Sequence, residues 1–321
     1  MEVIRTAWQT EQLGSPMRVL SSKLIHTRRS IQEWNKHTFG NIFDASREAE
    51  VAVCRAEARL ETEGSDEAQV ELNLAQAQMI HALSVEEQFW RQKARVKWLR
   101  HGDGNSKFFY AVLKQRQVQG VIHRIRNVHG AWVETDDEIS NEAVRYFSEL
   151  FSEPAGNAID LLHVIPSIVT TEENTYLESD PSFKEVRRIV FDMDGESAAG
   201  PDGFTGRFFT FAWEVIGQDV YNAVLSFFCG AELPRFVTST SIILLPKGPN
   251  PQDFSQFRPI SLCNFFNKVL SKLLVDRLAP LLPRLVSPQQ TGFVKGRNIS
   301  ENYLVAAPLL PKANQRVGGS P

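Results

Sequence analysis

Apolar and polar residues change their spacing several times along the chain, and each change marks an element. Residues 17–36 carry Val19, Leu20, Leu24, Ile31 and Trp34 among arginines and lysines, a spacing that predicts a helix ended by the turn residues Gly40 and Asn41. From Asp44 to about Leu60 the chain is rich in Ala and Glu, which favours a second helix. "TEGSDE" interrupts it, and a long helix is expected from about Ala68 to Leu99, with Leu72, Ala75, Met79 and Ala82 recurring every three or four positions. Two such helices in succession read as an antiparallel helical hairpin. After "HGDGNS", Ser106 caps a helix through "KFFYAVLKQRQ", in which Phe108 and Val112, and Phe109 and Leu113, stack at i, i+4. "VIHRIRNVHGAWVE" then alternates and turns at His129–Gly130, a small β-hairpin. "DDEISNEAVRYFSELF" opens with acids and carries Ile139, Val144 and Phe147 on one side, which predicts another helix.

"SEPAGNAID" reads as a linker, and from about Thr171 a second region begins, rich in Phe, Pro and Leu. In it "FKEVRRIVF" has helical spacing, while "SIILLP" and "FRPISL" are β-prone runs flanking a loop of Gly, Pro, Asn and Asp, a predicted hairpin. The expected fold class is therefore α+β, with a helical region over 1–153 and a mixed region over 171–321. A chain of 321 residues is long enough for about two domains. Hydrophobic content of 42% and charged content of 23% are those of a soluble globular protein. No apolar run approaches the roughly 18 residues of a membrane span. The N-terminus lacks a signal-peptide core, and the three scattered cysteines suit a reducing compartment. A nuclear or cytoplasmic, non-secreted protein without membrane contact is expected.

The net charge of −3 averages strong opposites. Residues 1–43 carry +3, 44–90 carry −8, 91–126 carry +9, 127–196 carry −12 and 197–321 carry +5. The basic blocks are where a polyanion would sit.

Several stretches could carry chemistry, and each also has an ordinary structural reading. "GDGNSK" (Gly102 to Lys107) fits a phosphate-cradling loop before a helix, or simply a connection between helices. Asp192 and Asp194 in "FDMDGE" fit a metal-binding pair, or solvated acids at a helix end. "GPDG" (Gly200, Pro201, Asp202, Gly203) is a tight-turn sequence in any protein. Lys247 and Arg258 flank the Pro/Gly-rich bend of the second hairpin. Antiparallel pairing brings them to one end of a ribbon, where a point charge beside a guanidinium fork suits an oligophosphate, or where two solvated cations terminate strands. "QTGFVKGRN" combines flexible backbone, Phe293 and cations, which suits nucleic-acid contact or a loop under a core aromatic.

The fixed order of "AAGPDG", "IILLPK", "FRPISL", "NKVLSKLLVDRL" and "SPQQTGFVKGRNI" closely resembles the N-terminal half of the reverse transcriptase domain of non-LTR retrotransposons, the plant LINE type in particular. Upstream, "SIQEWNKHTFGNIF", "EEQFWRQKARVKWLRHGDGNSKFFYAVLKQRQ" and "WVETDDEISNEAVRYFSELF" resemble the linker joining endonuclease to polymerase in those elements. The resemblance implies a basic linker over 1–153, followed by a partial reverse transcriptase over 171–321 (the fingers and the start of the palm). It implies that Lys247 and Arg258 lie over the triphosphate of an incoming nucleotide, and that Gly200, Pro201, Asp202 and Gly203 help hold template and primer. Gln290, Phe293 and Arg297 would contact the template. Arg91, Lys93, Arg95, Lys97, Arg100 and Lys107 would belong to an RNA-binding surface. The implied partners are an RNA template, an RNA/DNA hybrid and, weakly, a deoxynucleoside triphosphate.

Polymerisation in that family needs paired Mg2+ held by palm carboxylates, one strand carrying a Tyr-x-Asp-Asp-like motif. No tyrosine here is followed by an aspartate, and no acid follows Glu301. Pro308 and Pro311 fall where the relatives continue a helix. The expectation is a truncated transposable-element protein without bound Mg2+ and without catalytic residues, inactive as a polymerase. Its aromatic cluster (Phe208, Phe209, Phe211, Phe227, Phe228) would be exposed where a palm would pack. A non-enzymatic nucleic-acid-binding or scaffold protein, or a pseudogene product, remains the alternative.

Overall fold

The structure is a computed structural model describing residues 1–94, 106–152, 166–292, 294–298 and 300. In chain order, α1 (Glu2–Trp8) and α2 (Pro16–Phe39) precede α3 (Ile42–Glu63), α4 (Asp66–Ala94) and α5 (Ser106–Gly120). A short ribbon of β1 (Ile125–Arg126) and β2 (Trp132–Val133) leads to α6 (Asp136–Ser152). Then come α7 (Thr171–Glu178), α8 (Phe183–Asp192), α9 (Gly206–Phe211), α10 (Trp213–Phe228) and α11 (Arg235–Thr238). Strands β3 (Thr240–Pro246) and β4 (Phe257–Cys263) pair with each other, and α12 (Phe265–Leu278) and α13 (Leu282–Leu285) follow. Among the described residues, no helix is long and apolar enough to cross a membrane.

The compact units cut this chain differently from a single break near residue 153. One comprises residues 1–27, 154–245 and 259–321; the other comprises 28–153 and 246–258. A carboxylate explains why the N-terminus groups with the later helices. Asp219 on α10 accepts from the Trp8 indole N–H at 2.6 Å and from Lys23 Nζ at 2.8 Å.

The core of this first unit is built from helices with one apolar face. Val186, Ile189 and Val190 of α8 are fully buried, as are Ile216 and Val220 of α10 and Val269 and Leu273 of α12. Phe209 packs on Phe265 with ring centroids 4.7 Å apart. The expected exposed aromatic cluster is thus mostly absent. Phe209 is buried, Phe208, Phe227 and Phe228 are half-buried, and Phe211 alone of the five is 59% exposed. The reason is that α8 packs on α9 and α10, and α12 reaches them through Phe265 on Phe209 and Arg277 on Phe228, so the aromatics find partners within the unit.

One charged side chain lies inside that core. Arg277 of α12 is 3% exposed. Its Nε and Nη2 donate to the two carboxylate oxygens of Glu185 at 3.0 and 2.9 Å. Its Nη1 donates to the carbonyls of Leu177 and Ser179 at 3.1 and 2.6 Å, with Tyr176 O at 3.4 Å. The guanidinium also lies over the rings of Phe228 (4.9 Å) and Tyr176 (5.5 Å). The bond from Arg277 holds the Glu185 carboxyl below its usual range, against the opposing effect of burial.

In the second unit, α3 and α4 form the helical hairpin expected from the sequence. Val53, Ala56, Leu72 and Ala75 make its buried seam, flanked by Leu60 and Met79. Gly64 ends α3 in the left-handed region at φ 60°, its N–H bonded to Leu60 O. The helix α4 opens with Asp66 and Glu67 and closes with Arg91 and Lys93. The ribbon pairs Ile125 with Val133 and Arg126 with Trp132 in antiparallel register. Its turn is shaped by Asn127, whose side-chain oxygen accepts from the N–H groups of His129 and Ala131, with Gly130 at φ 79°. Ile125, Ile139 and Phe147 are the buried residues of ribbon and α6.

Substituting Arg277→Ala strands the Glu185 carboxylate and the α7 carbonyls, so we expect a loss of about 3–5 kcal/mol in urea unfolding. A loss under about 1 kcal/mol would refute the central role given to this pair. Because the folded Glu185 pKa is depressed, its contribution is present above the unfolded value near pH ~4.3 and is lost as pH falls through the folded value. Glu185→Gln should therefore flatten the decline of stability across that acid window, measured as unfolding midpoint against pH.

Candidate nucleic-acid interface

The bend between β3 and β4 is a built structure. Lys247 N–H donates to Gln256 O at 2.8 Å, which fixes which residues face each other where the strands meet the bend. Asp253 accepts from Ser255 N at 2.9 Å and from Gln256 Nε2 at 3.1 Å, organising a 3-10 turn at Phe254–Gln256. The Ser255 hydroxyl also donates to Asp253, and this bond first, with the others behind it, draws the Asp253 carboxyl below its usual range. Phe254 is buried among Tyr146 and Phe147 of α6, with centroids at 6.0 and 5.8 Å. Arg126 N–H reaches Gln252 O at 2.8 Å. A cleft of about 340 Å³ lies beside the turn, lined by residues that include Arg126, Tyr146, Asp253 and Ser255.

Lys247 and Arg258 are both exposed. The bond from Lys247 N–H sets Lys247 against Gln256, two residues before Arg258, so both cations stand at the bend end of the ribbon. Phe257 is buried and Arg258 is exposed. Lys247 Nζ donates to Ser255 O at 2.7 Å, which leaves two of its three donors. Among the described residues, neither cation has a carboxylate partner.

The "GPDG" turn is drawn into the fold. Gly203 N–H closes on Gly200 O at 3.0 Å. Asn264, 3% exposed at the start of α12, accepts from Asp202 N through its side-chain oxygen at 3.0 Å and donates to Phe236 O. A Cβ on Gly200 would land on the backbone of Cys263–Asn264, so no other residue fits there without a shift. Pro201 and Gly203 face solvent, while Gly200 and Asp202 serve the joint between turn and helix. Nearby, Lys268 Nζ donates to Ala198 O at 2.7 Å.

Arg297 is similarly engaged. Its Nη1 donates to Ser287 O and Gln290 O at 2.6 and 2.7 Å, and its Nη2 to Val286 O and Pro283 O at 3.0 and 3.1 Å. The guanidinium therefore builds the loop that carries the exposed Gln290 and Lys295. Phe293 lies outside the described residues.

In the basic block, Arg91 donates to Glu87 at 2.8 Å and lies over the Phe109 ring at 5.7 Å. Lys93 is exposed, 4.5 Å above the Phe89 ring. Arg95, Lys97, Arg100 and the stretch Gly102–Asn105 lie outside the described residues, as do Pro308, Pro311 and the side chain of Lys107. Among the described residues, no group of three or more His, Cys, Asp or Glu comes together as metal ligands. Asp192 pairs with Arg188 at 3.6 Å, and Asp194 accepts from Glu196 N at 2.9 Å. This donor set does not fit a magnesium pair.

The sequence reading missed a second cationic cluster. Trp132, on β2, has Arg124 and Arg126 over its ring at 4.6 and 4.8 Å. The signal was available: "RIR" puts two arginines on one side of a strand, and the hairpin register sets the tryptophan opposite the second.

No protein-family model matches the chain. Over 220 residues it is 28% identical to the "Transposon TX1 uncharacterized 149 kDa protein" of Xenopus laevis, covering 68% of this chain and 17% of that protein. It is 25% identical over 123 residues to the "Retrovirus-related Pol polyprotein from type-1 retrotransposable element R2" of Nasonia vitripennis, covering 38% and 11%. It is 24% identical over 207 residues to the "RNA-directed DNA polymerase from mobile element jockey" of Drosophila funebris, covering 60% and 22%. The chain spans less than a quarter of the length of these curated relatives. In sequence it is thus related to the reverse transcriptase and Pol proteins of non-LTR retrotransposons.

Proposed function

We propose that these residues are the linker and fingers portion of a non-LTR retrotransposon reverse transcriptase, of the plant LINE type that the sequence motifs resemble. In this reading the chain holds RNA template or RNA/DNA hybrid by its backbone and grips the triphosphate of a nucleotide weakly. The 321 residues by themselves bind without extending a primer. The observation that carries the reading is the exposure of Lys247 and Arg258 at the two shoulders of one bend without an acidic partner among the described residues, in a chain whose relatives include a named RNA-directed DNA polymerase.

Charge-assisted bonds contribute about 1.5–3 kcal/mol each. Two cations therefore support a dissociation constant between about millimolar and tens of micromolar. Binding to a nucleic-acid backbone depends on the number of phosphates neutralised, and the block 91–126, with ten cations against one acid, is where those contacts are drawn from once Arg91 and Arg116, held by Glu87 and Ala94 O, are set aside.

Titration with dTTP should give an affinity in the stated range, and Lys247→Ala with Arg258→Ala together should abolish measurable binding. An unchanged affinity in the double variant removes the ribbon from the nucleotide site. Binding of labelled single-stranded RNA, independent of its sequence, should weaken with salt at a log–log slope near −4, the value for ~6 phosphate contacts. A slope near zero would overturn the electrostatic reading. Incorporation of labelled nucleotide on a primed RNA template by the purified chain would overturn the claim that it binds without extending.

A further inference from the structure

We propose that Trp132, flanked by Arg124 and Arg126, is a stacking platform for one unpaired base of a single-stranded nucleic acid, with the two guanidiniums taking adjacent phosphates. The proposal rests on the nucleic-acid reading and shares with it Arg124 and Arg126, which belong to the basic block 91–126. Trp132 is 37% exposed on a two-residue strand, while Ile125 and Val133 supply the packing of the hairpin. The indole is therefore not needed as core.

Each guanidinium sits within 5 Å of the ring centroid (4.6 and 4.8 Å). Neither has a carboxylate or other side-chain hydrogen-bond partner among the described residues. The bond from Arg126 to Gln252 uses only its backbone N–H. Cation–π attraction at an exposed site is weak, and two like charges gathered on one ring oppose it. An anion placed between them would relieve that opposition. Both guanidiniums now lie over the ring, and on binding they exchange it for phosphates while the face they vacate takes the flat base, so the cluster answers both things a single strand presents. A duplex keeps its base faces stacked internally and cannot use the ring in this way. The cleft lined by Arg126, Tyr146 and Phe254 adjoins the platform and gives a sugar or neighbouring base room to settle.

The test is fluorescence anisotropy of the full chain with a labelled oligouridylate of about 12 nucleotides, its deoxy counterpart, and an RNA duplex of equal length. Trp132→Ala should weaken both single strands about tenfold and the duplex less than about twofold, the loss of one base–aromatic stack. Trp132→Phe should stay within about threefold of the parent, and Arg124→Ala with Arg126→Ala should reduce the salt slope by about 1 to 2. Circular dichroism confirms that each variant is folded. If Trp132→Ala disturbs folding, the phenylalanine and arginine variants decide.

A folded Trp132→Ala chain that binds single strands as well as the parent overturns the platform and leaves the wider reading standing. An equal loss for duplex and single strand also overturns it, as does stronger competition from polyglutamate than from RNA. If the parent chain binds no oligonucleotide, both readings fall. Discrimination between the ribo and deoxy strands would overturn the claim that base and phosphate, rather than the 2′-hydroxyl, are what is recognised.

Discussion

A guanidinium in an apolar interior is tolerated only when its nitrogens are answered, and each of the three in Arg277 has an acceptor. Its fork matches both oxygens of Glu185, and its remaining donors close the carbonyl end of α7. Helix ends leave carbonyls without intrahelical partners, and α7 has no glycine cap to satisfy them. One side chain of α12 therefore completes α7, fixes α8 through Glu185 and meets the aromatic end of α10 at Phe228. Replacing such a pair by apolar residues is a different matter from removing half of it: the first can be neutral, the second leaves an unanswered charge. The helix so anchored begins at Asn264, which in turn holds the "GPDG" turn and the carbonyl of Phe236. The position of β4, immediately before Asn264, follows from that chain of contacts.

The cations of this protein divide into those that build and those that are displayed. Arg297 spends four donors on backbone carbonyls, Lys268 holds Ala198, and Arg91 is committed to Glu87 and Phe109. Arg258, Lys93 and Lys295 are exposed, and Lys247 keeps two donors free. Counting charge along the sequence cannot make this division, because both kinds contribute equally to a net value. Geometry makes it at once. Only the second group is available to an anion from solution, while the first keeps loops in shape.

Local pattern made much of the architecture legible. The three-to-four spacing of Leu72, Ala75 and Met79 announced the α3–α4 hairpin, and the turn at His129–Gly130 fell where the alternation broke. What the pattern could not reveal depends on partners far away in the chain. Arg277 looked like one more polar position on a helix, because Glu185 stands 92 residues earlier. "GPDG" looked like any tight turn, because Asn264 lies 62 residues beyond Asp202. The grouping of the first helix with α10 required Asp219, 211 residues from Trp8. Lys247 and Arg258 were legible as a pair because the hairpin joining them is local. Phe254, which buries the bend against α6, was not, since its partners on that helix, Tyr146 and Phe147, are more than a hundred residues upstream.

The charge order along α4 has an electrical consequence. Its 29 residues extend about 44 Å. That is several times the screening length of about 8 Å in physiological salt. The acids that begin it and the arginine and lysine that end it complement the helix macrodipole, and they also lie too far apart to neutralise one another in solution. Residues 72–85 between them carry no acid, lysine or arginine, and Glu86 and Glu87 balance Arg91 and Lys93, so the rod has a negative start and a neutralised end, and the same residues that steady the helix give it a direction.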